Sequence, residues 1–344
     1  SRGSEVAAAF VASSMRCGGC GAKVGASTLT RVLKAVHQRA ERNYRNNFMN
    51  GKINGHNGDN NDNNHATSMM IPIEHDDAAI IPITSNQAGG AMIHTIDFFR
   101  SFISDPFIFG KIAAVHALSD CHAMGAEPRT ALALAVVPYA ATESITESTL
   151  IAMLSGASDV LTAERCQLVG GHTCEGAELA LGFAVHGFIA NCCNPRQTQN
   201  NANILRKRGC RVGDRLILTK PIGTGALFAA DMRAKSRAVC VQEALESMMI
   251  SNGVASQVAM KMNLNSDAVV HACTDVTGFG LMGHLLEMLV ANDDDNNTNN
   301  GEDDDSIQSV GCRLNLHDIP FLQGAMEASA AQIFSSLQPE NYKH

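Results

Sequence analysis

Apolar positions in the first half of the chain follow two periods, and the switches between them mark its elements. In 109–128, Ile112, Val115, Leu118 and Met124 recur at helical spacing, which predicts a buried helix. Gly125 and Pro128 mark its end. Short apolar runs predict strands at 69–73, 78–83, 91–98, 130–137, 167–170 and 179–189, with a long helix at 142–165 between two of them. An amphipathic helix is expected earlier, at 27–42, where Leu29, Val32, Leu33 and Val36 share a face. The second half predicts strands at 215–219 and 268–273 and helices at 224–233, 239–250, 254–262, 281–291 and 324–337. Such alternation is the pattern of an α/β (α+β) fold.

Two stretches break the pattern. Residues 43–68 are an Asn, Gly and Asp run, and 291–306 are dominated by Asp and Asn. Neither holds enough apolar surface to offset the entropy of ordering it, so both are expected to be disordered insertions. The polar, basic stretch 194–212 reads as a linker. At 344 residues the chain exceeds the roughly 250–300 at which one core stops growing. The expected organisation is a flexible segment at 1–42, the insertion, a first domain at 69–193, the linker, and a second domain at 213–344.

Composition narrows the function classes. A hydrophobic share of 45% without tryptophan leaves Leu, Ile, Val, Ala and Met to fill the core. The net charge of −8 leaves no basic footprint for nucleic acid, and no apolar run approaches the roughly 20 residues of a membrane span. Eleven cysteines, an odd number, many in apolar surroundings such as Cys166, Cys240 and Cys273, fit reduced thiols in a cytoplasmic protein. The apolar stretch 7–12 is too short for the core of a signal peptide.

The candidate chemistry is acidic. Asp120 falls near the end of its predicted helix, where the dipole disfavours a carboxylate. Lys111 lies too far back to pair with it, so a cationic partner from elsewhere is expected, unless the side chain merely caps a turn. Asp76-Asp77, Asp97 and Asp275 likewise lie where predicted apolar elements begin or end, the placement at which α/β proteins gather ligands. Hard oxygen donors without a His or Cys cluster in register favour Mg²⁺ over zinc, and Mg²⁺ usually arrives with substrate phosphates. Two glycine-rich turns accompany the acids. Gly170-Gly171-His172-Thr173 is expected to follow a strand, and Gly278-Phe279-Gly280 runs into a helix N-terminus; both suit phosphate oxygens. Neither matches the Walker or dinucleotide fingerprint. Near the start, Cys17-Gly-Gly-Cys20-Gly-Ala-Lys23 reads as half a zinc site, a redox pair, or a mobile loop carrying a thiol and an amine. The absence of a second Cys-x-x-Cys counts against zinc, and Lys23 favours a thiolate at Cys20.

Taken in order, these motifs resemble a known family. They are Cys20-Gly-Ala-Lys23, His75-Asp-Asp-Ala-Ala79, Thr95-Ile-Asp-Phe-Phe99, Ala117-Leu-Ser-Asp-Cys-His-Ala-Met-Gly125, Gly170-Gly-His-Thr173, Leu218-Thr-Lys-Pro-Ile-Gly-Thr-Gly225 and Thr274-Asp-Val-Thr-Gly-Phe-Gly280. The set is similar to that of the selenophosphate synthetases (selenide, water dikinases), of the wider aminoimidazole ribonucleotide synthetase-like fold family. The resemblance implies a two-domain fold whose N-terminal sheets pair into a barrel in a homodimer, and ATP-dependent conversion of selenide to selenophosphate with release of AMP and orthophosphate. By position it implies Cys20 as the reactive thiol and Lys23 as a phosphate contact. It implies Asp77, Asp120 and Asp275 as Mg²⁺ ligands, and Glu74, His75, Asp76, Asp97, Asp120, Gly171, His172 and Thr173 as the lining of the ATP site. A monovalent cation and a selenium-delivery protein are further expected ligands and partners; nucleic acid and membrane are not. Three features depart from the family pattern. His116 stands where many members carry Asn, Ala22 precedes the lysine, and members continue past the position of His344, so an incomplete second domain is expected. The alternatives are another ATP-using enzyme of the same fold family and a non-catalytic nucleotide-binding relative.

Overall fold

The strand-forming runs of the first half pair into one sheet, and the helices between them cover one of its faces. The computed structural model describes residues 76–83, 90–190, 204–265, 269–289 and 310–342, all within one compact unit. The expected helix at 27–42, the strand at 69–73 and both polar insertions lie outside the described residues, as do Cys17, Cys20, Lys23, Glu74 and His75.

The sheet contains β1 (Ala79–Ile83), β2 (Gly90–Arg100), β3 (Glu127–Pro138), β4 (Gln167–Gly176) and β5 (Ala180–Ala190) in the order β1-β2-β5-β3-β4. All neighbours are antiparallel except β3 and β4. That one parallel pair follows from its connection, because parallel strands need a long crossover, here the helix α2 (Glu143–Ala163). Strand alternation sorts the side chains into two faces. Ile93, Phe99, Ala131, Ala135, Leu181, Phe183 and Val185 are buried together. Ile81, Met92, Ile96, Phe98 and Leu132, on the other face, remain exposed.

The helix α1 (Pro106–Ala123) lies in the buried layer. It begins where expected for its chemistry: Pro106 is in the first turn, and Asp105 caps it by accepting hydrogen bonds from the amides of Phe107 (2.8 Å) and Ile108 (3.2 Å). α1 and α2 meet at glycines. A Cβ on Gly110 would lie 1.9 Å from the Met153 carbonyl oxygen, and one on Gly156 would lie 2.0 Å from that of Phe107. Only a residue without Cβ permits so close a crossing. Gly125, at φ 74°, ends the helical segment in the left-handed conformation.

The second half forms α3 (Thr224–Asp231), α4 (Ala238–Met248), α5 (Gly253–Asn265), α6 (Gly280–Leu289), α7 (Ala325–Ala330) and the single-turn α8 (Gln338–Asn341). Leu227, Phe228, Cys240, Ala244, Leu322 and Ala325 make its main cluster. Phe102 joins it to the first half, stacking edge-on against Phe109 (6.4 Å between centroids) and Phe228 (4.8 Å).

Five expectations are corrected. The strands at 215–219 and 268–273 do not form: 215–219 and 269–273 carry no ladder. Apolar runs favour an extended chain, but a strand also needs a neighbour to take up its amides and carbonyls. Here Cys273 N donates instead to Arg206 O (2.8 Å), and Val269 N and Val270 N to Asn263 Oδ1 (2.9 and 2.8 Å). The helix expected at 324–337 stops at Ala330. Gln332 turns left-handed (φ 57°) and Ile333 N closes onto Ala328 O (2.9 Å), a Schellman ending without glycine. The strand expected to end at Gly170 runs on to Gly176, so Gly170 and Gly171 lie inside β4 rather than in a turn. Asp97 lies inside β2 rather than after it. Among the described residues, no helix is long and apolar enough to cross a membrane.

Candidate active site

Three segments distant in sequence bring three carboxylates to one place. Asp77 directly precedes Ala78 and β1, Asp120 occupies the last turn of α1, and Asp275 lies in the segment that leads into α6. One oxygen from each lies within 4.8 Å of the other two. Thr95, on the inward side of β2, donates its hydroxyl proton to Asp120 Oδ2 (2.5 Å). Thr274 donates to Asp77 Oδ1 (3.1 Å). Asp97, two residues along β2 from Thr95, adds a fourth negative charge near Asp120.

The electrostatics are unfavourable to a bare cluster. Burial pushes the Asp120 carboxyl well above its ordinary range, and the neighbouring charges of Asp275, Asp97 and Asp77 push it further; only the Thr95 hydroxyl opposes them. Asp77 is also raised, first by burial, although Lys207 pulls it down. The cationic side chain expected to meet Asp120 is not found among the described residues, and Lys111 pairs with Asp159 instead (3.5 Å). Asp77 Oδ2 and Asp275 Oδ2 are buried without a hydrogen-bond partner among the described residues. Buried acceptors left over in this way are costly. Oxygen-only donors at this spacing fit a hard divalent cation such as Mg²⁺.

A basic segment closes over the acids. Arg206 Nη1 pairs with Asp76 Oδ2 (2.5 Å), and the Lys207 amide donates to Asp76 Oδ1 (3.0 Å). Lys207 Nζ lies 2.6 Å from Asp77 Oδ1 and 3.2 Å from Glu287 Oε2 on α6. Glu287 also meets His284 Nδ1 (3.5 Å), whose Nε2 accepts from the Thr277 amide (3.1 Å). Hydrogen bonding from His284 and the charge of Lys207 hold the Glu287 carboxyl down at about 2. The sequence places Arg206 and Lys207 in the linker expected at 194–212. The available signal was the basic run Arg206-Lys207-Arg208 set against the acidic Asp76-Asp77.

Of the other expected site residues, Gly171, His172 and Thr173 lie on β4, exposed to solvent. The close approach at Gly171 is to protein, since a Cβ there would lie 2.1 Å from Ala133 O. Among the described residues no hydrogen bond or ion pair joins these three to the aspartates. His116 stacks on Phe99 at 4.3 Å between centroids.

The AIR synthase related protein N-terminal domain matches residues 75–189, and the corresponding C-terminal domain matches 211–294. The chain is 35% identical over 275 residues to a selenide, water dikinase of Bdellovibrio bacteriovorus, covering 80% of this chain and 66% of that protein. It is 34% identical over 276 residues to one of Nitrosomonas eutropha, covering 80% and 67%. The chain thus spans about two-thirds of the length of the curated relatives it matches. Among solved structures, the hydrogenase maturation protein HypE is similar with a TM-score of 0.50 at 14% identity, over 76% of this chain and 72% of that one, a likeness of fold alone.

Proposed function

The chain belongs to the selenide, water dikinase family, with its AIR synthase-related fold, and from that premise we propose that it converts ATP, selenide and water to selenophosphate, AMP and orthophosphate. The observation that carries this reading is the convergence of Asp77, Asp120 and Asp275, whose ligand atoms lie within 4.8 Å of one another. They would hold Mg²⁺, which supplies neutralisation of phosphate charge and polarisation of the phosphoryl group. The remaining work is positioning. Thr95 and Thr274 fix the carboxylates of Asp120 and Asp77. Asp76 is occupied by Arg206 and the Lys207 amide, so its part in the ATP site is to hold that segment in place.

Cys20 brings the thiol for the selenium and Lys23 meets the phosphates. Glu74, His75, Asp97, Gly171, His172 and Thr173 complete the nucleotide lining, with a monovalent cation as an additional ligand. The division into a first domain at 69–193 and a second at 213–344 is part of the same reading. A homodimer formed through the exposed sheet face is supported by Met92, Ile96, Phe98 and Leu132, all exposed there. On that face β4 also presents His172, level with Leu134 in the register, so its part in the nucleotide lining falls where the two protomers of the homodimer would meet. A selenium-delivery protein as donor and a cytoplasmic location complete the reading; the free thiols among the described residues fit a reducing compartment.

Phosphorus NMR of the purified protein with ATP, Mg²⁺ and selenide tests the reaction. The expected products are AMP, orthophosphate and a phosphorus resonance split by selenium. ADP as sole nucleotide product, formed equally without selenide, would identify an ordinary small-molecule kinase.

A further inference from the structure

Lys207 is the cationic side chain that touches the aspartate cluster among the described ion pairs, and its surroundings give it two places to go. Its backbone is pinned, because its amide donates to Asp76 Oδ1 and its neighbour Arg206 holds Asp76 Oδ2. Its ammonium group lies between two carboxylates, 2.6 Å from Asp77 Oδ1 and 3.2 Å from Glu287 Oε2. Asp77 uses that same Oδ1 for Thr274 and leaves Oδ2 buried without a partner among the described residues. A divalent cation and an ammonium ion cannot both neutralise one carboxylate at short range without repelling each other. Glu287 is a ready second acceptor, held ionised by His284 and Lys207.

We propose that Lys207 is a positioning residue that serves as built-in counter-ion to Asp77 and transfers its ion pair to Glu287 when a divalent cation loads. The inference rests on the metal reading of the three aspartates and extends it. The lysine keeps the ligand set together before loading, and its shift couples loading to α6, which follows directly on the segment bearing Asp275. No bond is made or broken; the ammonium group moves between two acceptors already within reach.

Mn²⁺ titration of the full chain by electron paramagnetic resonance tests it, using Lys207→Met, Glu287→Gln, the double variant and Asp120→Asn. Lys207→Met should bind Mn²⁺ roughly tenfold more tightly, the scale of one charge-assisted hydrogen bond no longer lost on loading. Glu287→Gln should weaken binding in the otherwise unchanged protein and have no effect in the Lys207→Met background, since only a moving lysine needs that acceptor. Melting adds a second readout: Lys207→Met should melt lower than the parent without metal and match it when saturated with Mn²⁺. Equal weakening by Glu287→Gln in both backgrounds would overturn the transfer. Unchanged Mn²⁺ affinity in Lys207→Met would overturn the counter-ion role. If Asp120→Asn leaves Mn²⁺ binding untouched, the metal reading itself fails and takes the proposal with it.

Discussion

Asp120 carries an unusual burden for one side chain: a half-buried carboxylate at the negative end of a helix, with three other acids acting on it. Replacing it by Asn removes the desolvated charge and keeps the shape, so the metal-free protein should melt higher in Asp120→Asn, by calorimetry. A lower melting point would show that the carboxylate is held by a favourable contact. His94 and His186 make a second residue-scale case. They face each other across β2 and β5 with Nδ1 atoms 2.6 Å apart, which requires one ring to donate and the other to accept. Burial first and His186 second hold the His94 ring below its ordinary 6.5. The unfolded chain then takes up protons that the folded one refuses, so stability is full above about pH 6.5 and is lost as pH falls below it. Urea midpoints measured from about pH 7.5 down to about pH 5.5 should fall, and His94→Gln should flatten the slope. The loop near the start supplies a third test. Lys23 is three residues from Cys20 and six from Cys17, so Cys20→Ser should abolish selenide-dependent AMP release while Cys17→Ser retains most of it. Equal losses in both would favour a paired-cysteine site.

Elements were legible where a local pattern decides them and illegible where a distant partner does. The predicted 130–137, 142–165 and 179–189 appear as Glu127–Pro138, Glu143–Ala163 and Ala180–Ala190, because alternation and helical spacing are carried by neighbours in sequence. The run at 215–219 has the same local pattern but no neighbouring strand, and periodicity cannot report that. The acids that converge were visible as a set, since each adjoins or interrupts an apolar run. The role of Lys207 was not: its basic run is plain in the sequence, but the pairing of its segment with Asp76 spans 130 residues, and only the fold brings the two together. The α1–α2 crossing depends on two glycines that no period announces. Ala at 156 gains about 1 kcal/mol in helix propensity, yet its Cβ would lie 2.0 Å from a backbone carbonyl oxygen, and moving the helices apart costs roughly 1–3 kcal/mol. Gly156→Ala should therefore lower the urea midpoint; a higher one would mean that the crossing can relax freely.

At the scale of the whole molecule, one sheet face is packed and the other is not. Ile96 is 67% exposed at the middle of β2, beside Met92 and Phe98 on the same face, and a contiguous exposed apolar patch of this kind marks an interaction surface. Ile96→Glu should leave the melting point nearly unchanged at low concentration and convert the proposed homodimer to a monomer in analytical ultracentrifugation. A dimer that survives the change would move the interface elsewhere. The proposed function turns on Asp77, Asp120 and Asp275, joined by folding from three distant segments, as the holders of the metal at which ATP reacts. Its most direct measurement is the Mn²⁺ affinity of the parent protein and of Asp120→Asn in the presence of a non-hydrolysable ATP analogue. The parent should show a saturable site that is weakened by roughly a hundredfold or more in the variant; equal affinity in the two proteins would contradict a metal site on these aspartates.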